Sequence, residues 1–123
     1  MRRYMAIIIA GLIVFTVFSL SVSAAQTKLL RSQPVHISGG VRNLQGEYLS
    51  GVTVIAHSVD YQWDFLTTTN EYGYFNVHTW YPGDYVLIFY LEGYHTKTIS
   101  IEDTHLGDEI SLNIYLLPIL LND

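Results

Sequence analysis

The chain has 123 residues, half of them hydrophobic, with a formal net charge of −5 and no cysteine. This length suits one domain. The lack of cysteine excludes disulfides, a thiol nucleophile and a cysteine-linked lipid anchor. The shortage of Lys and Arg argues against nucleic acid or anionic lipid as a partner, since both need clustered basic residues. No motif calls for a cofactor, so we expect none.

The first 25 residues have the parts of a secretory signal peptide. A basic start at residues 1–3 precedes an apolar stretch, 6–20, and small residues follow at 21–25. This order predicts a helical signal peptide over 1–25, cleaved after Ala25, and a polar lead-in over 26–34. The expected location is then secreted, periplasmic or cell-surface, with no membrane insertion after cleavage. The alternative is an uncleaved membrane anchor, because the apolar stretch approaches the ~20 residues that span a bilayer.

Seven short strands are predicted over residues 35–118. Apolar runs of strand length are separated by turn residues at regular spacing, which is typical of an all-β sandwich. The fifth run is apolar on both faces and is therefore expected to be a central strand. Pro118 ends the last strand, and residues 119–123 are a C-terminal tail. The predicted strands are 35–42, 52–58, 65–69, 74–80, 85–91, 96–101 and 110–117.

Several short strand and turn motifs follow one another in a fixed order along the predicted sandwich. They are Ile37-Ser38-Gly39-Gly40-Val41, the spaced set Gly46, Leu49, Gly51, Val52 and Val54, then Thr68-Thr69, Glu71-Tyr72-Gly73-Tyr74-Phe75, Pro82-Gly83-Asp84-Tyr85 and Gly93-Tyr94. In this order they resemble the carboxypeptidase regulatory-like domain of the transthyretin-like (prealbumin-like) superfamily. The resemblance implies a seven-stranded Greek-key sandwich over 35–118. It also implies an accessory or stalk-like role beside a peptidase, receptor or adhesion domain, without catalytic residues.

The residues themselves give little support for an enzyme. Zinc peptidase chemistry needs a His-x-x-Glu pair or a His-Glu-x-x-His helix, and none of the five histidines has such a neighbour. A Gly-x-Ser-x-Gly elbow is absent from the sequence as well. We therefore expect a protein that is not an enzyme, and a hydrolase has the weakest support of the functions considered.

Topology predicts a cluster of loop residues at one end of the sandwich. If consecutive strands run in alternating directions, the loops after the second, fourth and sixth strands share an end. That end carries both tryptophans, and aromatic loops on a rigid sandwich are a common binding surface. We therefore expect an exported module that binds carbohydrate or protein there. The candidate ligand-binding residues are Tyr61, Trp63, Trp80, Tyr81, Asp60, Asp64 and Asp84.

Two other interpretations stay open at this point. The tryptophans would instead cap the core in a purely structural or accessory domain that stabilises or spaces a partner peptidase, receptor or adhesin. Exposed tryptophans favour the binding module, and buried tryptophans favour the structural domain. A Ca²⁺ site at Asp103, Asp108 and Glu109 is also considered, because calcium takes six to eight oxygen ligands and these carboxylates supply oxygens. This expectation is weaker, because the loop lacks the alternating Asp spacing of a dedicated calcium loop. The oligomeric state cannot be inferred from the residues.

Overall fold

The computed structural model describes residues 33–121, so the predicted signal peptide and most of the lead-in lie outside the described residues. Residues 33–121 contain seven β-strands, which confirms the predicted all-β sandwich. Within this range no helix is long and apolar enough to cross a membrane. The strands are β1 (Val35–Arg42), β2 (Thr53–Ser58), β3 (Trp63–Thr68), β4 (Tyr74–Thr79), β5 (Gly83–Tyr90), β6 (Lys97–Thr104) and β7 (Glu109–Tyr115).

The strands form two sheets, one of three strands in the order β4-β1-β7 and one of four in the order β3-β2-β5-β6. All neighbouring strands are antiparallel except β1 and β7, which pair in parallel. As predicted, β5 is central, between β2 and β6. Consecutive strands therefore alternate in direction. The β2–β3, β4–β5 and β6–β7 connections consequently share one end of the sandwich.

The core lies between the sheets and is built by strand alternation, in which every second side chain points inward. The rings of Phe75 on β4 and Phe89 on β5 meet edge to face, with centroids 5.4 Å apart, and so join the two sheets. At the end of β7 and just beyond it, Ile114 and Leu116 are buried while Tyr115 between them is exposed. The buried hydrophobic residues are Val35, Ile37, Val41, Val52, Val54, Ala56, Phe75, Val77, Tyr85, Leu87, Phe89, Ile114 and Leu116.

Some strands extend further into the predicted loops than the sequence indicates. The predicted third strand starts at residue 65, but β3 starts at Trp63, which pairs with Ser58. Residues 83 and 84 were expected to form a turn and belong to β5. The reason is a side-chain link, since the Thr104 hydroxyl accepts from Gly83 N at 3.0 Å and donates to Gly83 O at 2.7 Å. This link also lengthens β6 to Thr104, and the β5–β6 pairing shifts register between Gly83 and Tyr85, with the extra residue on β6.

Candidate functional site

Aromatic side chains from β3 and two loops come together at the end of the sandwich that the sequence singled out. Tyr61, in the β2–β3 loop, packs on Tyr81, in the β4–β5 loop, with ring centroids 4.8 Å apart. The Phe65 ring also contacts Tyr81, with ring centroids 5.8 Å apart. Trp63 lies on the same face of β3 as Phe65, because they are two residues apart. We call Tyr61, Trp63, Phe65 and Tyr81 the aromatic end.

Phe65 was not among the candidate site residues. The alternation of Trp63 and Phe65 along one strand was the signal that would have found it. The other members are open to solvent: the exposed fraction is 52% for Tyr61, 57% for Trp63 and 38% for Tyr81. The core residue Tyr85, by contrast, is 1% exposed. These three side chains therefore do not act as buried core caps.

Buried hydroxyl groups beneath the aromatic end fix its loop backbones. The Tyr85 hydroxyl donates to Tyr81 O and lies 2.9 Å from the Thr79 hydroxyl. Tyr81 N in turn donates to Thr79 Oγ1 at 3.0 Å, and Tyr61 N donates to Ser58 Oγ at 3.2 Å. Burial raises the pKa of the Tyr85 phenol above its ordinary value of 10.0, so this hydroxyl stays protonated at neutral pH. Tyr61 and Tyr81 are therefore held on a preorganised backbone.

The carboxylates of this end connect the β2–β3 loop to β5, and β5 to β6. Asp60 Oδ2 accepts a hydrogen bond from Asp84 N at 3.0 Å, and Asp84 Oδ1 accepts one from Asp103 N at 2.7 Å. Gly83 makes the first contact possible, because a Cβ at this position would lie 1.9 Å from Asp60 Oδ2. Asp60 and Asp84 therefore have a structural task whatever else they do.

Two of the candidate residues lie apart from the aromatic end. Asp64 alternates with Trp63 and Phe65, so it faces the outside of the four-stranded sheet, where its Oδ1 lies 2.6 Å from His57 Nδ1. Trp80 follows β4 directly, and alternation places it on the side opposite the buried Thr79. It is 58% exposed. Among residues 33–121, neither tryptophan makes a ring contact with another aromatic side chain.

Of the three residues considered for calcium, Asp103 and Asp108 both contact His105, whereas Glu109 contacts His36. Asp108 Oδ2 accepts from His105 N at 2.8 Å, Asp103 Oδ1 lies 3.8 Å from His105 Nε2, and Glu109 Oε1 lies 3.5 Å from His36 Nδ1. Within the described part of the chain, no three His, Cys, Asp or Glu side chains are grouped so that they would hold a metal ion. The calcium site stays a prediction without support from this geometry.

Comparison with known proteins adds a family and a fold. A family model described as "Carboxypeptidase regulatory-like domain" matches residues 36–117. Comparison with curated proteins finds no match. Among solved structures, 3-chlorocatechol 1,2-dioxygenase from Rhodococcus opacus 1CP is 15% identical with a TM-score of 0.59, over 71% of this chain and 60% of that one.

Two further structures show a similar degree of likeness. Hydroxyquinol 1,2-dioxygenase from Pseudomonas putida DLL-E4 is 8% identical with a TM-score of 0.58, over 71% of this chain and 57% of that one. The Bacillus anthracis TIE protein is 15% identical with a TM-score of 0.58, over 71% of this chain but 17% of its own. The chain thus spans about 60% or less of these structures, and identities this low show the fold alone.

Proposed function

Because the chain belongs to the carboxypeptidase regulatory-like domain family, we propose that it works as an exported, non-catalytic binding module for a protein or carbohydrate. The ligand contacts the aromatic end. The observation that carries this proposal is the joint exposure of Tyr61, Trp63 and Tyr81. Trp63 begins β3, and the two tyrosines lie on loops whose backbones are held by buried hydroxyls.

The chemistry of the aromatic end suits contact with a ligand. Tyrosine and tryptophan offer flat apolar faces with a polar edge, and they are enriched among the residues that contribute most to binding. A fixed backbone lowers the entropy lost when the ligand binds. The nearby carboxylates of Asp60 and Asp84 favour ligand groups that donate hydrogen bonds, such as sugar hydroxyls or basic side chains.

The similarity to dioxygenases does not support catalysis in this chain. The names of those enzymes refer to catechol and hydroxyquinol substrates, but the likeness is one of fold. Function has to be argued from the site. The matching family is described as regulatory-like, and the sequence lacks the zinc-peptidase and serine-elbow motifs. Both points favour a non-catalytic role.

A structural or accessory role is the second candidate, favoured by one observation. Asp60 and Asp84 are engaged in connecting loop backbones, which is what a domain needs if its task is to be a rigid spacer beside a partner peptidase, receptor or adhesin. In that case the exposed aromatic side chains have no ligand of their own.

Binding of the full chain to printed arrays of glycans and of purified extracellular proteins separates the two candidates. Trp63→Ala and Tyr61→Ala should each weaken binding to the array hits by about tenfold or more, since such anchor residues contribute about 2 kcal/mol or more. Tyr72→Ala is the matched control, because Tyr72 is 66% exposed at the opposite end. If all three variants bind the array hits as well as the unmodified chain does, the aromatic end is not the binding surface.

A further inference from the structure

The outer face of the three-stranded sheet carries an open groove of about 380 Å³. Its side chains belong to β1, β4 and β7, and none of them is charged. We call this feature the amide groove. Its outward-facing residues are Ser38, Gly40, Tyr74, Asn76, Ser111 and Asn113.

Strand pairing sets these residues in two rows across the sheet. Ser38 lies between Asn76 and Ser111 in one row, and Gly40 lies between Tyr74 and Asn113 in the next. Adjacent strands are about 4.8 Å apart. Each row therefore places one polar or aromatic side chain on each side of a small central residue. The groove therefore has hydrogen-bonding groups along both sides, and its floor is low at Ser38, whereas the rings of Tyr48 and Tyr74 lie over Gly40.

The two amides differ in how they are held. Asn76 Oδ1 lies 3.0 Å from His36 Nε2, and the His36 ring is stacked on His78 with centroids 4.2 Å apart. This contact orients the Asn76 amide. Asn113 is exposed, and the structure shows no hydrogen bond from its side chain to another residue within 33–121. Asn113 thus presents both a donor and an acceptor to a ligand.

Tyrosine rings wall one end of the groove. Tyr74 packs on Tyr48 with ring centroids 5.2 Å apart, and both rings crowd Gly40. A Cβ there would approach the Tyr48 ring to 2.8 Å and the Tyr74 ring to 3.1 Å. The hydrogen bond from Tyr74 to Tyr48 raises the pKa of the Tyr74 phenol above its ordinary value. This wall is therefore aromatic, and the Tyr74 phenol in it stays protonated at neutral pH.

The nearest basic side chain is engaged beside the groove. The Arg42 guanidinium lies 5.3 Å from the centre of the Tyr48 ring and 4.8 Å from that of Tyr115, which is cation–π geometry. From residue 33 onward Arg42 and Lys97 are the only basic residues, and acidic residues far outnumber them. An anionic ligand would consequently be repelled by the domain as a whole.

We propose that the amide groove binds a neutral oligosaccharide. Such a ligand offers many hydroxyl donors and acceptors without charge, which matches the serines and asparagines, and its sugar rings stack on the Tyr74 face. The outward row of β4 continues from Tyr74 through Asn76 and His78 towards Trp80. These six residue steps span about 20 Å, so the sheet face that starts in the groove and runs beyond it along β4 is long enough for a chain of several sugars. This proposal does not rest on the aromatic end.

The test is calorimetric titration of the full chain with neutral oligosaccharides of at least four units, namely cello-, xylo-, manno- and malto-oligosaccharides. Asn113→Ala and Asn76→Ala should each weaken the binding of at least one of them by about two- to tenfold, the range for loss of one hydrogen bond. Tyr74→Ala should weaken it by about tenfold or more. Thr68→Ala, an exposed polar change on the four-stranded sheet, is the control and should leave the affinity unchanged.

Trp63→Ala distinguishes the groove from the aromatic end. If Trp63→Ala keeps its oligosaccharide affinity while the asparagine variants lose theirs, the result supports the amide groove as the binding site. This holds whether or not the aromatic end has a ligand. Loss in Trp63→Ala with full affinity in Asn113→Ala would overturn it, and so would the lack of measurable binding to all four sugar series. Because Asn113 is exposed, its replacement should not prevent folding, and an unchanged melting temperature checks this.

Discussion

The two ends of the sandwich use tyrosine in different ways. At the end formed by the β1–β2 and β3–β4 connections, which we call the glycine end, the Tyr48 side chain covers Gly73. At the aromatic end, Tyr61 and Tyr81 pack on each other over a backbone fixed from below. An aromatic side chain over glycine stabilises a turn, whereas an aromatic side chain left on an exposed loop is available for contact. Substitutions at the two ends should therefore separate stability from binding.

The largest effect is expected at the glycine end. Gly73 has a φ of 81°, and a Cβ there would lie 2.6 Å from Tyr48 Cβ and 3.1 Å from Leu49 N. Gly73→Val should cost about 3 kcal/mol of unfolding free energy, of which about 1–2 kcal/mol comes from the left-handed backbone and the rest from the collision. Urea unfolding of the variant measures this loss.

Gly46→Val is the matched control for that prediction. Gly46 has a φ of 85° with nothing within 4 Å of an added Cβ, so it should show the backbone cost of about 1–2 kcal/mol alone. Equal losses in the two variants would show that the Tyr48 contact over Gly73 contributes nothing.

A slightly smaller effect is expected where Asp60 meets Gly83 at the aromatic end. Gly83→Ala should cost about 2 kcal/mol or more, because the new Cβ displaces the Asp60 carboxylate and the φ of 119° suits only glycine. Asp60→Ala should cost about 1 kcal/mol for the lost bond to Asp84 N. The double variant should be more stable than the sum predicts, since Asp60→Ala removes the collision. Strict additivity in a double-mutant cycle would contradict this coupling.

A third effect concerns pH and the buried Tyr85 hydroxyl beneath the aromatic end. Burial raises the pKa of Tyr85 in the folded state above its unfolded value near 10.0. Its contribution to stability is therefore complete below about pH 10 and is lost as pH rises through the folded-state pKa, because the unfolded chain gives up this proton first. Denaturation at pH 8 and at pH 11 should show a steeper loss for the unmodified chain than for Tyr85→Phe.

The same variant should be less stable than the unmodified chain at pH 8 by about 1–2 kcal/mol, since Tyr81 O and the Thr79 hydroxyl lose their partner. Identical pH dependence in both proteins would indicate that Tyr85 does not contribute to alkaline unfolding.

The sequence predicted the parts of this fold that depend on local pattern. Alternation located the strands, and the motif around Gly73 located a tight reversal, in which the structure gives Gly73 a φ of 81°. The sequence also placed Tyr61 and Tyr81 at one end, because that follows from alternating strand direction. The sequence could not predict side-chain hydrogen bonds such as the one that Asp60 accepts from Asp84 N, since they depend on where a loop backbone lies to within an ångström.

The amide groove could not be predicted from the sequence for a different reason. It depends on the parallel register of β1 and β7, which sets Gly40 opposite Asn113. Nothing local in either strand specifies that partner, because the outward alternation of Ser111 and Asn113 is compatible with any neighbour. Register across a long sequence separation is fixed by the whole core, so a pattern read along one strand cannot show which side chains will share a groove.

The smallest change in stability is expected for the double variant Trp63→Ala and Trp80→Ala. The side chains are 57% and 58% exposed, and surface substitutions usually alter stability by about 0.5 kcal/mol or less each. The variant should therefore lose less than about 1 kcal/mol, which for a domain of this size shifts the melting temperature by less than roughly 4–8 °C. Two buried tryptophans would each cost about 3–5 kcal/mol, so a thermal melt separates the cases clearly.

A loss of several kcal/mol would mean that the tryptophans cap the core, and the aromatic end would then be structural like the glycine end. A small loss leaves exposed tryptophans that the fold does not need for its stability, and binding is then the better account of them.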